Sequence, residues 1–232
     1  MAALDDAGRS LTFRIDSIEA DPRDREGEVF LYGLSVREPG SPHFVDYCAP
    51  DAEGRSRAIP LQGSWTAAGA PSAASDKLTF ACTSGAIGKC VRMGYKPWKT
   101  VAGQSLAPLH AACVRLVRAD YCGDGRSHTR DGTRIDIWDR LGVQAREPRE
   151  GKPEIFEAAC APTGAVWLNV PRWQDAVDGV IAECPEPLRG RTSKDAPLGA
   201  AEVARRYPEA LLFNARYVRA EDRMEPRAPS RR

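Results

Sequence analysis

The cysteine content constrains this chain more than any other feature of its sequence. All seven cysteines are candidates for disulfide bonds: Cys48, Cys82, Cys90, Cys113, Cys122, Cys160 and Cys184. No Cys-x-x-Cys pair occurs and no pair of histidines accompanies them, so their spacing fits no structural zinc site. Either a disulfide framework or scattered buried thiols would explain the count, and we favour disulfides formed in an oxidising compartment. An odd number leaves at least one thiol unpaired or free to pair between chains.

Composition and charge exclude several classes of function. The chain has 232 residues, 42% of them hydrophobic and 28% charged, which is ordinary for a globular protein of one large domain. Its formal net charge of +1 creates no overall field that would attract nucleic acid. No apolar run approaches the roughly 18 residues of a membrane-spanning helix. We therefore expect no nucleic-acid ligand and no membrane span, and another protein as the partner, with the oligomeric state left open.

Hydrophobic periodicity predicts an α+β fold. The expected architecture is an antiparallel β-sheet with one central amphipathic helix and two shorter C-terminal helices, stabilised by disulfides. Pro60 interrupts an apolar run at residues 59–65 and places that strand at a sheet edge. The other strands are expected at 11–18, 29–36, 44–48, 78–82, 87–93, 134–138, 155–160 and 165–170, and the C-terminal helices at 175–184 and 195–207.

The domain organisation is predicted from the same patterns. Residues 11–218 are expected to form a single domain, preceded by a flexible N-terminus at residues 1–10. Residues 219–232 are highly charged and carry two prolines, so we expect a disordered tail. The first residues lack the basic and apolar regions of a signal peptide, a pattern found in cytoplasmic proteins and in the mature forms of exported ones.

The central helix is predicted over residues 106–121. Ser105 is a suitable N-cap, and Gly123 is placed to end the helix in the left-handed conformation. Apolar residues recur at three- and four-residue steps, whereas Arg115 and Arg118 are expected on the solvent side.

Two further predictions concern which cysteines can pair. Cys113 and Cys122 are nine residues apart, which on a helix means opposite faces and about 13 Å of rise, so they cannot bond to each other. In the hairpin expected at 78–82 and 87–93, Cys82 and Cys90 could face each other.

Several short segments resemble the bacterial ADYC-domain family, which is named for the residues at positions 119–122. The similar segments are AIPL at 58–61, AIGKCVR at 86–92, GYKPW at 94–98, HAAC at 110–113, VRADYCGDG at 117–125, SHTRDGT at 127–133, ID at 135–136 and LFN at 212–214. The resemblance implies an exported protein or lipoprotein, located in the periplasm, on the outer-membrane surface or outside the cell. It implies no assigned activity, cofactor or catalytic residue.

One catalytic hypothesis is a thiol nucleophile with a histidine base, as in a hydrolase or transferase. Cys122 or Cys113 would act with His110 or His128, and His110 and Cys113 share one face of the predicted helix. An aspartate would orient the imidazole, the choices being Asp120, Asp124 and Asp131. Against this hypothesis, Cys122 lies at a helix C-terminus, where the helix dipole raises the pKa of a thiol.

A calcium-dependent binder is a weaker alternative, because hard cations take several oxygen ligands from one loop. The candidate ligands fall within twenty residues: Asp120, Asp124, Asp131, Asp136 and Asp139. The EF-hand register fails, since Gly132 at its sixth position would put Ser127 first and Trp138 twelfth. Turn formation and helix capping also explain these aspartates.

We therefore expect a non-enzymatic, extracytoplasmic binding or assembly module with no cofactor, acting as a subunit of an envelope or surface complex.

Overall fold

The computed structural model describes residues 2–4, 10–66, 69, 71–72, 76–147, 151, 153–173 and 177–218. Of the predicted flexible N-terminus, residues 2–4 form a short strand. The predicted disordered tail at 219–232 lies outside the described residues.

Among the described residues, eight strands precede the first helix. The strands are β1 (Ala2–Leu4), β2 (Ser10–Ala20), β3 (Phe30–Arg37), β4 (Val45–Asp46), β5 (Ala58–Gln62), β6 (Ser64–Trp65), β7 (Pro71–Ser72), β8 (Leu78–Cys82), β9 (Thr100–Val101), β10 (Gln104–Ser105), β11 (Ile135–Asp139), β12 (Glu154–Ala161), β13 (Gly164–Leu168) and β14 (Leu212–Tyr217). The helices are α1 (Ala86–Arg92), α2 (Ala107–Arg118), α3 (Val177–Glu183) and α4 (Ala200–Arg206). The α+β class, the antiparallel sheets, the central helix and the two C-terminal helices are confirmed.

The first sheet has the strand order β1-β2-β3-β5-β8, with β4 also paired to β3, and all its pairs are antiparallel. The prediction that the Pro60 strand lies at an edge is wrong, because β5 lies between β3 and β8. The proline is tolerated there because the pairing of β3 with β5 is confined to Tyr32 and Ala58.

Residues 87–93 were predicted as the second strand of a hairpin, and this prediction is wrong. Residues 87–92 belong to α1, which packs on β8 so closely that a Cβ added at Gly88 would lie 2.5 Å from the carbonyl oxygen of Cys82. Ile87 and Val91, four residues apart, point together into the apolar cluster on this face of the first sheet. Burial of that pair explains why a short, glycine-containing segment becomes a helix.

The second sheet has the order β11-β14-β12-β13 and is also antiparallel. Helix α2 covers one face and forms the largest apolar cluster with it. Helix α4 packs on the opposite face, around the buried side chains of Trp167 and Phe213. The predicted strand pair at 155–160 and 165–170 is confirmed as β12 and β13.

Three disulfides link these layers. Cys48–Cys82 joins the segment after β4 to β8, Cys90–Cys113 joins α1 to α2, and Cys122–Cys184 joins the loop at residues 119–125 (the motif loop) to the end of α3. Cys113 and Cys122 do not pair with each other, as predicted. Cys82 and Cys90 do not pair either, because Cys90 lies in a helix and not in a facing strand. Cys160 is a buried free thiol.

Across the described residues, none of the helices combines the length and the apolar character needed to cross a membrane.

Candidate functional site

The motif loop begins where α2 ends. Ala119 has a left-handed backbone, with φ of 51°, and its N–H donates to the carbonyl of Leu116 at 3.0 Å. The N–H of Asp120 donates to the carbonyl of Arg115 at 2.8 Å. These two bonds form a Schellman motif, so the helix ends at this point and not at the predicted Gly123.

Asp120 closes the motif loop. Its buried carboxylate accepts a hydrogen bond from the N–H of Gly125 at 2.9 Å and another from the guanidinium of Arg115. Arg115 also donates to the carbonyl of Pro162 at 3.2 Å. The prediction that Arg115 lies on the solvent side of α2 is wrong, because its guanidinium joins the loop to the turn between β12 and β13.

A buried ion pair lies behind the motif loop. Arg172 donates from Nε and Nη2 to the two carboxylate oxygens of Glu157, at 3.0 and 2.8 Å, and both side chains are at most 2% exposed. The hydroxyl of Tyr121 donates to Glu157 at 3.1 Å and accepts from the backbone N–H of Arg172 at 2.8 Å. Buried charges need such additional hydrogen bonds to offset the loss of water.

Arg172 also caps the C-terminus of α2. It donates to the carbonyls of Leu116 at 2.8 Å and Val117 at 2.9 Å, and to the hydroxyl of Thr129 at 3.0 Å. Carbonyls in the last turn of a helix lack helical partners and carry the negative end of the helix dipole. With the two bonds to Glu157, all five N–H donors of the guanidinium are used.

Two glycines allow the motif loop to pack against the β12–β13 turn. A Cβ added at Gly123 would lie 1.8 Å from the carbonyl oxygen of Thr163, and one added at Gly164 would lie 2.7 Å from that of Tyr121. Both glycines have positive φ. The N–H of Ala165 donates to the backbone carbonyl of Tyr121 at 2.8 Å. No other residue fits at either position without moving backbone.

His128 lies between the motif loop and α3 and contacts both. Its Nδ1 lies 3.0 Å from the carbonyl oxygen of Ala119, and its Nε2 lies 2.9 Å from a carboxylate oxygen of Glu183. The ring stacks on Tyr121, with centroids 5.4 Å apart. The His128 ring and the Arg126 guanidinium hold the pKa of Glu183 below its usual value.

Both candidate nucleophiles are disulfide-bonded. The sulfur of Cys122 is joined to Cys184, and that of Cys113 to Cys90. Because a thiolate is the nucleophilic form of cysteine, neither sulfur is reactive while these bonds are intact. Burial raises the pKa of the remaining thiol, Cys160, which keeps it protonated.

The second candidate base, His110, lies in the core between α1 and α2. Its Nε2 is 3.2 Å from the carbonyl oxygen of Ile87, and the Trp65 ring meets it edge to face with centroids 4.9 Å apart. His110 is 0% exposed. The structure therefore places His110 in the core beside Ile87 and Trp65, whereas His128 and Cys122 both lie at the junction of the motif loop and α3.

His110 is expected to make stability depend on pH. Burial lowers its pKa to about 4, whereas the unfolded chain binds a proton near the ordinary value of about 6.5. Its contribution is therefore complete above about pH 6.5 and is lost as the pH falls towards about 4, by about 3 kcal/mol. Urea unfolding at a series of pH values should show this loss. His110→Leu should flatten the curve between about pH 6.5 and 5, while His43→Leu, at an exposed position, should not. Equal slopes in all three proteins would contradict the assignment.

The candidate calcium ligands cap turns. Asp120, Asp124, Asp136 and Asp139 each accept a hydrogen bond from a backbone N–H further along the chain, and Asp131 is exposed. Within the described parts of the chain, no three His, Cys, Asp or Glu side chains are grouped closely enough to hold a metal ion.

A pocket of about 370 Å³ and a smaller one of about 160 Å³ open among the described residues near the ends of α1 and β11. The larger lies between the β2–β3 turn and the end of α1. The charged side chains that line it form ion pairs with one another: Arg92 with Asp21 and Lys96 with Asp24, each at 2.7 Å. None of the candidate catalytic cysteines and histidines lines either pocket.

The first sheet carries an apolar surface that the sequence did not reveal. Seven large hydrophobic side chains of the described residues are exposed, and six share the sheet face opposite α1, which we call the open face. The six are Ile15, Ile18, Phe30, Val45, Tyr47 and Leu78, with exposed fractions up to the 67% of Leu78. The seventh, Trp98, lies elsewhere.

A β-bulge in β2 brings two of these residues to one side. Successive side chains of a strand alternate between faces, so Ile15 and Ile18, three apart, would ordinarily point in opposite directions. The register shifts by one residue at Asp16, so that Ile15 lies opposite Leu34 and Ile18 opposite Tyr32. Cross-strand partners share a face, and both isoleucines therefore belong to the open face.

The other members follow from ring contacts and register. Leu78 lies two residues from Phe80, whose ring is 5.8 Å from that of Tyr32. Val45 lies opposite Val36 in the β3–β4 pair. The alternation of polar and apolar residues in β2 was the only sequence pattern that could have indicated this surface. It predicted a half-buried strand and does not distinguish a buried apolar side from an exposed one.

Comparison with known proteins gives one match. The family model described as the ADYC domain matches residues 1–174. No curated protein and no solved structure matches the chain.

Proposed function

The chain belongs to the ADYC domain family, and from that premise we propose that it is a non-enzymatic, extracytoplasmic module that binds another protein through the open face. The observation that carries this proposal is the concentration of six exposed large hydrophobic side chains on one sheet face. Burying apolar surface contributes about 25 cal/mol per Å², and contiguous exposed apolar patches mark sites of protein association.

The open face is also held rigid, which favours binding. The Cys48–Cys82 disulfide belongs to a small buried apolar cluster on the same side of the sheet, together with Leu34 and Ala58. Phe13 packs edge to face against Tyr47, with centroids 5.1 Å apart. A surface that is already ordered loses little conformational entropy when a partner binds.

The cysteine and histidine environments support a non-enzymatic role. The hypothesis of a hydrolase or transferase needs a free thiolate near an accessible imidazole. The sulfurs of Cys122 and Cys113 are in disulfides, and His110 is enclosed in the core. Both ring nitrogens of His128 face oxygen acceptors of the protein itself.

The disulfides support the proposed location. Three disulfide bonds in one chain are typical of proteins that work in an oxidising environment, such as the periplasm, the cell surface or the exterior. Together with the apolar face, they favour a subunit of an envelope or surface complex.

Site-specific photocrosslinking in cells that produce the protein would test the proposal. A photoreactive amino acid at Val45 or at Leu78 should give one heteromeric adduct of defined mass, because both side chains project from the open face. The same probe at Trp98, which is also exposed and apolar, should not give that adduct.

A substitution on the open face provides a second test. In the unlabelled chain Leu78→Glu should abolish co-purification of the adduct's partner. Because the side chain is already exposed, it should change the free energy of unfolding by no more than about 0.5 kcal/mol. Equal labelling from Trp98, or no adduct from the open face, would refute the proposal.

A further inference from the structure

Within the described part of the chain, one edge of β2 has no neighbouring strand over its second half. Strand β3 pairs with one edge from Thr12 to Ala20, whereas β1 occupies the other edge only at Ser10–Thr12. Among the described residues, no strand pairs with that second edge from Arg14 to Ala20. An unpaired edge presents a row of backbone donors and acceptors and is a template for another strand.

The hydrogen bonds of the sheet show which β2 residues direct their backbone groups to this edge. The N–H of Asp21 donates to the carbonyl of Val29, the residue before β3, so the backbone groups of Asp21 point towards β3. Alternate residues of an antiparallel strand point to opposite neighbours, so Glu19 also faces β3, while Ile18 and Ala20 face the free edge.

The same reasoning applies on the other side of the bulge. The carbonyl of Leu34 accepts from the N–H of Tyr47 and so faces away from β2. Its cross-strand partner Ile15 therefore directs its own N–H and carbonyl to the free edge. The bulge at Asp16 thus gives Ile15 and Ile18 the same backbone orientation as well as the same face.

The side chains along this edge are complementary to themselves. In order they are Arg14, Ile15, Asp16, Ser17, Ile18 and Glu19. If the segment is laid antiparallel against a copy of itself, Ile15 can lie opposite Ile18 while Arg14 lies opposite Glu19. The isoleucines are then on the open face, and the charges are on the other face.

From this pattern we propose that two copies of the chain pair antiparallel through the free edge of β2, about a two-fold axis. Each dimer contains two Ile15–Ile18 contacts and two Arg14–Glu19 pairs, with each member of a pair from a different copy. Apolar and opposite-charge cross-strand pairs both stabilise a sheet. The incoming strand begins beyond the residues that β1 occupies.

The composition of β2 also selects this register. A slip of one residue in one direction would put Asp16 opposite Asp16 of the second copy. A slip in the other direction would put Ile15 opposite Glu19, and the alternation of faces would no longer match. The dimer joins two six-stranded sheets edge to edge and makes their open faces continuous. It rests on the β2 edge and does not depend on the protein partner proposed above.

Charge-swap variants of the full chain test the dimer by sedimentation equilibrium. The wild-type protein should be a reversible dimer. Arg14→Glu or Glu19→Arg alone places like charges opposite each other twice per dimer and should raise Kd roughly 10- to 30-fold. The double variant restores opposite charges and should return Kd to within about threefold of wild type. Urea unfolding of each variant checks that the monomer remains folded, since Arg14 also contacts Asp16 and Glu19 contacts Arg57.

A proline variant provides an independent test. Because the N–H of Ile18 points away from β3, Ile18→Pro removes no hydrogen bond from the monomer and yet blocks an inter-strand bond in the dimer. It should abolish dimerisation. A wild-type chain that stays monomeric, a dimer unaffected by Ile18→Pro, or a folded double variant as weak as the single ones would overturn the proposal. None of these outcomes affects crosslinking from Val45 or Leu78, so the two proposals can fail separately.

Discussion

Arg172→Met is expected to lower the free energy of unfolding by about 3–5 kcal/mol, a large fraction of the roughly 5–15 kcal/mol that stabilises a typical domain. The substitution leaves the Glu157 carboxylate charged and buried without its counter-ion. It also removes the hydrogen bonds that Arg172 donates to the carbonyls of Leu116 and Val117, so the last turn of α2 loses its cap. Urea denaturation followed by circular dichroism measures the loss.

Two further variants separate the buried charge from ordinary packing. Replacing both partners, Arg172→Met with Glu157→Leu, removes both charges and should recover much of the loss, because no unpaired ion remains. Arg189→Met breaks an ion pair with Glu186 whose side chains are about three-quarters exposed, and should cost less than about 0.5 kcal/mol. If the single Arg172 variant were no less stable than the Arg189 variant, the ion pair would not organise the motif loop.

Removing the Cys122–Cys184 disulfide should have the next largest effect. This bond closes the longest segment of the three, with a sequence separation of 62. Constraining a loop of that length in the unfolded chain contributes about 4 kcal/mol. The variant Cys122→Ala with Cys184→Ala should therefore be less stable than wild type by about that amount, measured by thermal and urea unfolding.

The matched control is Cys160→Ala, which replaces a buried thiol that takes part in no disulfide. It should cost only about 1 kcal/mol for the lost apolar contact. Alkylation and mass measurement report the bonds directly: the denatured, unreduced wild-type chain should show one reactive thiol, and the reduced chain seven. Seven reactive thiols before reduction would show that the disulfides are absent from the native protein.

Local patterns predicted most of the regular structure. The alternation in residues 11–18 and 29–36 corresponds to β2 and β3, and the four-residue spacing in α2 identified the central helix. These elements were predictable because each buries one face, so apolar residues recur along the sequence with the period of a strand or of a helix. Helix α1 was mistaken for a strand, since seven residues contain too few turns to distinguish the two periods.

The motif loop shows a different limit. Its glycines and aspartates predicted turns, but not that Gly123 is required by the carbonyl of Thr163 forty residues away. The pairing of Arg172 with Glu157 was not predicted, because a buried ion pair between distant residues has no local pattern. The fold brings them within hydrogen-bonding distance by packing both against the hydroxyl of Tyr121.

Composition, residue order and spacing were sufficient for the α+β class, the odd number of cysteines, the prediction that Cys113 and Cys122 do not bond to each other, and the resemblance to the ADYC family. Those conclusions depend on composition, residue order and spacing along one element. The cysteine pairing, the enclosure of His110 and the exposure of the open face became known from the three-dimensional fold. These features depend on which distant segments of the chain lie side by side. A strand has the same alternation of polar and apolar residues whether its apolar side packs on its own core or faces outward, so the alternation alone cannot distinguish the two cases.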